Sequence, residues 1–255
     1  MNAAPTPPAT RSPQPMAGTP ALEVKDLAAG YDRTEVLRGV SMQVPAGSVV
    51  ALVGPNGGGK STLLNTIAGL IRPTRGTISL YDSDITTLAP YRRTKMGLCH
   101  IGEGRAVFKR LTVRENLIMQ AEKGREREAA DLATTVFPRL GERMEQLAGT
   151  MSGGEQQMLA MARAYVRKPQ LVLLDEPSLG LAPIVTDAIF QFLENELVAG
   201  RGVSVLVVDQ LVHRVLDIAQ HAFVLRRGEL AFAGPSAELR ASDLFAHYLS
   251  AGSAS

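Results

Sequence analysis

Eight residues near the start of this chain limit its possible folds more than any others. Residues 54–61 read Gly-Pro-Asn-Gly-Gly-Gly-Lys-Ser, which fits the phosphate-binding pattern G-x-x-x-x-G-K-[ST]. Residues 48–53 before them are apolar and β-branched, as in a buried strand. Residues 61–70 after them are typical of a helix that ends at Gly69. Strand, glycine loop and helix are the context that the pattern requires, so we expect a phosphate-binding loop here.

Two further motifs follow the loop, and their order along the chain is informative. Residues 152–155 read Ser-Gly-Gly-Glu, a capping box that opens a predicted helix. Residues 170–174 form a predicted buried strand that ends in two acids, Asp175 and Glu176. A phosphate loop, a Ser-Gly-Gly loop and an acidic strand end together predict a protein that binds and hydrolyses ATP.

Composition limits the class of protein and its compartment. The 255 residues are 45% hydrophobic, enough for a substantial core, and 27 basic against 25 acidic residues leave a charge of +2. A nearly neutral chain without a basic run lacks the signature of a nucleic-acid binder, so we expect no nucleic-acid partner. The single cysteine, Cys99, excludes an internal disulfide and fits a reducing compartment. No run of 18 apolar residues predicts a membrane span.

The order of predicted elements indicates a mainly parallel α/β sheet, because strands alternate with helices. Residues 1–20 contain six prolines and are expected to be a disordered Pro/Ala-rich tail, followed by a single domain at 21–250. Tyr31 is expected in the first long connection. The predicted strands are 22–26, 40–45, 48–53, 77–81, 98–101, 170–174 and 203–208, and residues 221–233 are predicted to form a hairpin. Helices are predicted at 61–70, 152–167 and 183–200, and another begins at the capping box 112–115, after which the chain is expected to be mostly helical to about residue 149.

These motifs resemble the ATP-binding cassette family, the nucleotide-binding subunits of ABC transporters, over residues 22–248. The Ser-Gly-Gly loop distinguishes that family from other phosphate-loop proteins. Residues 103–105, 146–150 and 178–183 are similar to the second ATPase of bacterial branched-chain amino-acid importers, and to the ATPases of urea and amide importers. The resemblance implies a RecA-like P-loop NTPase core with an antiparallel β subdomain and an α-helical subdomain at roughly 89–165.

The resemblance and the chemistry of the side chains assign expected roles. The Lys60 ammonium would contact the β- and γ-phosphates, and Glu176 is the expected general base. Lys60, Glu176 and Gln210 are therefore the catalytic candidates. The expected metal residues, which would hold Mg²⁺, are Ser61, Asp175 and Glu103. The residues expected to bind ATP are Tyr31, Gly54, Pro55, Asn56, Gly57, Gly58, Gly59, Lys60, Ser61, Thr62, Glu103, Ser152, Gly153 and Gly154.

Some of these positions depart from the family pattern. Glu103 stands where most members have a glutamine that senses Mg²⁺, and Gln210 where most have a histidine that contacts the γ-phosphate. Glutamine cannot titrate near neutral pH, so the strength of hydrolysis at this site stays open. Gly58 replaces an alanine or serine and Gly102 a proline, and both loops are therefore expected to be looser. Tyr31 is expected to stack on adenine, with a half-buried structural tyrosine as the alternative.

In the family two cassettes pair head to tail, so each Ser-Gly-Gly loop closes over the partner's nucleotide. The resemblance therefore implies a homo- or heterodimer with a second ABC ATPase subunit. It also implies transmembrane permease subunits, an indirectly coupled extracytoplasmic solute-binding protein, and a peripheral location on the cytoplasmic face of the inner (plasma) membrane. Two alternatives are a soluble cassette ATPase acting on nucleic acid or ribosomes, and a nucleotide-binding regulator with weak hydrolysis.

Overall fold

The computed structural model describes most of the chain. The described residues are 18–32, 34–104, 107–121 and 124–242. The following parts of the predictions lie outside them: most of the tail 1–20, Arg105, and residues 243–250 at the end of the predicted domain.

Ten strands and nine α-helices make up the fold in this part of the chain. The strands are β1 (Pro20–Tyr31), β2 (Thr34–Pro45), β3 (Val49–Val53), β4 (Arg75–Leu80), β5 (Ser83–Asp84), β6 (Leu98–Ile101), β7 (Leu171–Asp175), β8 (Ser204–Val208), β9 (His221–Arg226) and β10 (Glu229–Pro235). The helices are α1 (Lys60–Ala68), α2 (Pro90–Lys95), α3 (Val113–Ile118), α4 (Glu126–Val136), α5 (Pro138–Gly141), α6 (Gly153–Arg167), α7 (Pro183–Gln191), α8 (Val212–Ile218) and α9 (Ser236–Arg240). A 3₁₀ turn spans Ala148–Thr150, and a π-helical segment spans Phe192–Ala199.

The strands form two sheets. The central sheet has the order β10-β9-β3-β8-β7-β6 and is parallel except for the β9–β10 hairpin. The second sheet, in the order β2-β1-β4-β5, is antiparallel throughout. The predicted mainly parallel α/β architecture and the predicted hairpin are thus confirmed. None of the helices in the described ranges has both the length and the apolar character needed to cross a bilayer.

The central sheet is buried on both faces, which explains why its strands are continuous apolar runs. In β3, Val49, Ala51 and Val53 face one core and Val50 and Leu52 face the other. Helices α3 to α7 pack in the first core, whereas α1 and the antiparallel sheet pack in the second. Full burial of each valine or leucine contributes roughly 1.5–3 kcal/mol to the free energy of folding. The carboxyl ends of these strands are therefore well anchored in the core.

The structure differs from the predictions at β1. The predicted strand 22–26 continues to Tyr31, so Tyr31 ends a strand and the prediction of a long connection there is wrong. The reason is a series of register irregularities after Val24, with Asp26 at a φ of +45°. These irregularities break the alternation of apolar and polar residues on which the prediction depended. The predicted helix 183–200 likewise consists of α7 followed by the π-helical segment.

The turn between β9 and β10 holds the glycine loop against the antiparallel sheet. The Gly228 backbone N–H donates to the Gly58 carbonyl at 3.1 Å, and the Arg38 N–H donates to the Gly228 carbonyl at 2.8 Å. Gly228 has a φ of +83°, and a Cβ there would lie 1.8 Å from the Val36 carbonyl oxygen. Only glycine fits at this contact, because any side chain would push the two sheets apart.

A buried arginine fastens the other end of α1. Arg93 is 1% exposed and donates to the Thr66 and Ile67 carbonyls at the carboxyl end of α1, as well as to the Thr86 and Leu88 carbonyls. These bonds satisfy helix carbonyls that have no partner within the helix. Burial lowers the pKa of the Arg93 guanidinium. The helix that follows the glycine loop is therefore held at both of its ends.

Candidate nucleotide-binding site

The glycine loop between β3 and α1 has the backbone shape that a phosphate-binding loop needs. Gly54, Gly57 and Gly59 have φ values of +154°, +74° and +104°, which non-glycine residues rarely adopt. A Cβ at Gly54 would lie 2.0 Å from the Leu225 carbonyl oxygen. Residues 54–59 therefore bring backbone N–H groups to the N-terminus of α1, where the helix dipole favours an anion.

Gly58 contradicts the expectation of a looser loop. Its N–H donates to the Pro55 carbonyl at 3.0 Å. A Cβ at this position would lie 2.9 Å from that carbonyl oxygen and 3.0 Å from the Leu225 carbonyl oxygen. The absence of a side chain is thus used for close packing, and the prediction of looseness is wrong here. At Gly102 an added Cβ would make ordinary contact with the His100 ring at 3.6 Å, so crowding does not explain that glycine.

Lys60 bends back over the loop that precedes it. Its Nζ donates to the Gly54 carbonyl at 2.8 Å and to the Pro55 carbonyl at 3.1 Å. Burial lowers the pKa of the ammonium group, while the charges of Glu176 and Asp175 act in the opposite direction. The lysine and the two acids at the end of β7 therefore share one electrostatic environment.

Asp175 is a buried carboxylate with an incomplete set of partners. It ends β7 and is 6% exposed, and the nearby Ser61 hydroxyl acts to lower the pKa of its carboxyl. Its Oδ1 has no hydrogen-bond partner. Burial raises the pKa of this carboxyl, and the charge of Glu103 adds to the increase. An unpaired buried oxygen is costly unless a cation balances it, and a hydroxyl beside a carboxylate is an oxygen donor set that suits Mg²⁺.

Glu176 is held in a strained backbone conformation beside Asp175. Its φ is +50°, and its N–H donates to the Val208 carbonyl at 2.8 Å. Gln210, which follows β8, donates its Nε2 to the Glu176 carboxylate at 2.9 Å. Burial raises the pKa of Glu176, and the charges of Asp175 and Glu103 raise it further against the effect of the Gln210 bond. A carboxylate with a raised pKa beside a lysine is a suitable proton acceptor.

The acids face a cavity of about 540 Å³ at the carboxyl edge of the sheet. Glu103 enters it from the segment after β6, and Gln157 enters it from α6. Its lining consists of Gly102, Glu103, Gly104, Gln157, Asp175, Glu176, Leu179 and Gly180. The expected base Glu176 and two of the expected metal residues, Asp175 and Glu103, thus line one space, whereas Ser61 on α1 is not part of this lining.

The Ser-Gly-Gly residues lie apart from the glycine loop. Ser152 caps α6, and its hydroxyl donates to the Glu155 carboxylate at 2.9 Å. Gly154 lets α6 approach α7, because a Cβ there would lie 3.1 Å from the Val185 side chain. No hydrogen bond or ion pair between described residues joins positions 152–154 to residues 55–61.

The remaining predicted residues flank the loop. Thr62 is buried in the first turn of α1, where its carbonyl accepts the Thr66 hydroxyl at 2.7 Å, and Asn56 is exposed. Tyr31 is 52% exposed at the end of β1. About half of its surface is therefore open to solvent, and no hydrogen bond or ring contact in the described part of the chain connects it to the loop.

A profile of the ABC transporter family matches residues 37–179, which include the glycine loop, the Ser-Gly-Gly loop and both acids. This chain belongs to the ABC transporter family. The match covers more than half of the chain, and the cassette ATPase fold expected from the motifs is confirmed.

Relatives and a solved structure extend the match to most of the chain. The high-affinity branched-chain amino acid transport ATP-binding protein BraG of Pseudomonas aeruginosa is 43% identical over 212 residues, which cover 82% of this chain and 90% of BraG. The probable branched-chain amino acid transport ATP-binding protein LivF of Archaeoglobus fulgidus is 40% identical over 227 residues, which cover 88% of this chain and 96% of LivF. The solved structure of the ADP conformation of MJ1267, an ATP-binding cassette of an ABC transporter, matches with a TM-score of 0.76 at 26% identity. The match covers 88% of this chain and 94% of MJ1267.

Family membership and the geometry of the site agree on the reaction. This ABC transporter subunit is an ATPase. Its loop, lysine and strand-end acids occupy one edge of the central sheet, where parallel α/β folds bind their ligands.

Two buried residues next to the site were missed by sequence reasoning. Asp209 and Ser178 hydrogen-bond to each other between the segments that follow β8 and β7. The signal that identified Asp175, an acid immediately after a buried apolar strand, was also present at Asp209.

Proposed function

We propose that this chain is the ATP-hydrolysing subunit that energises an importer of branched-chain amino acids. The observation that carries this conclusion is its identity of 43% to BraG and 40% to LivF over at least nine tenths of each relative. The sequence similarities at residues 103–105, 146–150 and 178–183 support the same branch.

In this proposal the backbone N–H groups of residues 54–61 bind the phosphates, and the Lys60 ammonium leaves its two carbonyl partners for the β- and γ-phosphate oxygens. Ser61 and Asp175 would hold Mg²⁺, and Glu103 on the same cavity would be a further oxygen ligand for it. The ion, when bound, neutralises phosphate charge. The unpaired Oδ1 of Asp175 supports this assignment, because it supplies a free ligand atom.

Glu176 acts as the general base of hydrolysis. Its carboxylate orients the attacking water and accepts a proton from it, and the raised pKa makes it a better acceptor than an ordinary glutamate. Gln210 keeps this carboxylate in place through its 2.9 Å hydrogen bond, and its amide does not compete for the proton. The exposed Tyr31 ring is available to stack on adenine.

The second half of the site comes from another cassette. The separation of residues 152–154 from the glycine loop within one chain supports a head-to-tail dimer with a second ABC ATPase subunit, identical or related. The pair acts on transmembrane permease subunits at the cytoplasmic face of the inner membrane, to which this chain is bound peripherally. A solute-binding protein outside the membrane delivers the cargo.

A reconstitution experiment tests this function. The chain is co-expressed with transmembrane permease subunits, a second cassette ATPase and a solute-binding protein of the same bacterium, and the complex is placed in liposomes. We expect ATP hydrolysis to rise several-fold when the binding protein carries leucine, isoleucine or valine, since permease contacts bring the cassettes together.

Radiolabelled leucine should accumulate only with ATP and with intact Glu176. Stimulation by urea or a small amide without any response to leucine would assign the chain to an amide importer. Co-purification with nucleic acid or ribosomes in place of membrane subunits would contradict the importer altogether.

A further inference from the structure

Two buried polar side chains join the segments that carry Glu176 and Gln210. Asp209 is 3% exposed and Ser178 is 6% exposed. Asp209 directly follows β8, and Ser178 lies two residues after Glu176. Since β7 and β8 are neighbours in the central sheet, a bond between these residues links two adjacent strand ends.

The Asp209 carboxylate accepts three hydrogen bonds. The Ser178 backbone N–H donates to Oδ2 at 2.9 Å, the Ser178 hydroxyl donates to Oδ1 at 2.6 Å, and the Leu211 N–H donates to Oδ1 at 2.9 Å. We call these three residues the Asp209 clamp. Bonds to an ionised acceptor are short and strong, and a buried carboxylate with three donors has a well-defined orientation. The clamp is therefore a rigid link rather than an incidental contact.

The clamp lies within two residues of each group that it would need to position. On one side Glu176 adopts its φ of +50° and donates its N–H to the Val208 carbonyl. On the other side Gln210 reaches the Glu176 carboxylate at 2.9 Å. A strained conformation of this kind persists only where the surrounding structure determines it. Ser178 and Asp209 supply that restraint from both strand ends.

We propose that Asp209 is a positioning residue for ATP hydrolysis, which acts through Ser178 and Gln210 to hold the Glu176 carboxylate at its working position. The inference rests on the role of Glu176 proposed above. The clamp should affect turnover and not nucleotide affinity, because none of the three clamp residues belongs to the loop that binds phosphate.

The test compares Asp209→Asn and Ser178→Ala with Ser204→Ala in the assembled complex. Ser204 is a matched control: it is fully buried on β8 at the opposite end from Asp209, and its hydroxyl accepts the Gly47 N–H at 3.0 Å. We expect both clamp variants to lower kcat roughly 10- to 100-fold while the Kd for ATP stays within about twofold. Ser204→Ala should lower Tm and leave kcat unchanged.

A second measurement separates positioning from general stability. In a Glu176→Gln background, Asp209→Asn should cause no further loss of kcat, since a residue that acts through Glu176 has nothing left to position. A further loss of the same factor in that background would overturn the inference. Unchanged kcat in the clamp variants, together with a lowered Tm, would also overturn it.

The outcomes distinguish this inference from the proposed function. Wild-type turnover by Glu176→Gln alone would exclude Glu176 as the general base. A loss of turnover in Glu176→Gln, together with full activity of the clamp variants, would refute only the role of the clamp. If Asp209→Asn does not fold, Ser178→Ala carries the test, because it keeps the carboxylate and its bond from Leu211.

Discussion

Glu176→Gln is expected to bind ATP as tightly as the wild-type chain and to hydrolyse it roughly 100- to 10,000-fold more slowly. Glutamine keeps the shape of the side chain and can still meet the Gln210 amide with its carbonyl oxygen. It cannot accept a proton from water. The measurements are steady-state ATPase activity and nucleotide affinity in the assembled complex.

The control for this variant is Glu194→Gln, an exposed glutamate of the π-helical segment that should leave the rate unchanged. Because burial raises the pKa of Glu176, the wild-type rate should fall on acidification at a higher pH than for an ordinary glutamate base. Full activity of Glu176→Gln would exclude Glu176 as the base. A reduced activity caused by lost ATP binding would contradict the proposed division between binding and turnover.

Asp175→Asn is expected to have two opposite effects, abolishing ATPase activity while stabilising the nucleotide-free protein at neutral pH. Folding raises the pKa of Asp175, so the folded state favours the protonated form. The stability that Asp175 contributes is therefore present at low pH, and it is lost as pH rises from the unfolded pKa through the folded pKa. At neutral pH the variant should gain about 1–3 kcal/mol, from removal of an incompletely paired buried charge.

The expected gain in stability of Asp175→Asn is measured as an increase in Tm in the presence of a chelator. Each kcal/mol should raise Tm by about 2–4 °C. The difference from wild type should disappear below the ordinary pKa of aspartate, where both side chains are neutral. ATP with Mg²⁺ should raise the wild-type Tm and have little effect on the variant. Asp131→Asn, at an exposed position of α4, serves as the control. A variant that is less stable than wild type at neutral pH would refute the account of Asp175.

The parts of the site that follow from local pattern were accessible from the sequence. The glycine loop, the end of α1 at Gly69 and both capping boxes depend on a few consecutive residues with fixed backbone requirements. The buried strands β3, β7 and β8 are recognisable as apolar runs, because parallel strands are covered on both faces.

The parts that depend on contacts between distant segments could not be predicted. The close packing of Gly58 involves the Leu225 carbonyl of β9, and that of Gly228 involves the Val36 carbonyl of β2. Each partner lies far from its glycine in the sequence. The buried Arg93 is recognisable only when its carbonyl partners in α1 are known. The extended β1 was missed because its irregularities hide the period-two pattern.

The central claim is that the edge formed by the glycine loop and the two strand-end acids binds ATP for hydrolysis. The most direct measurement is the structure of the assembled complex carrying Glu176→Gln, determined with ATP and Mg²⁺. We predict phosphates bound by residues 54–61 and Lys60, a metal ion on Ser61 and Asp175, and a Ser-Gly-Gly edge of the second cassette against the γ-phosphate. Nucleotide bound elsewhere, with Lys60 and Asp175 making no contact to phosphate or metal, would contradict the claim.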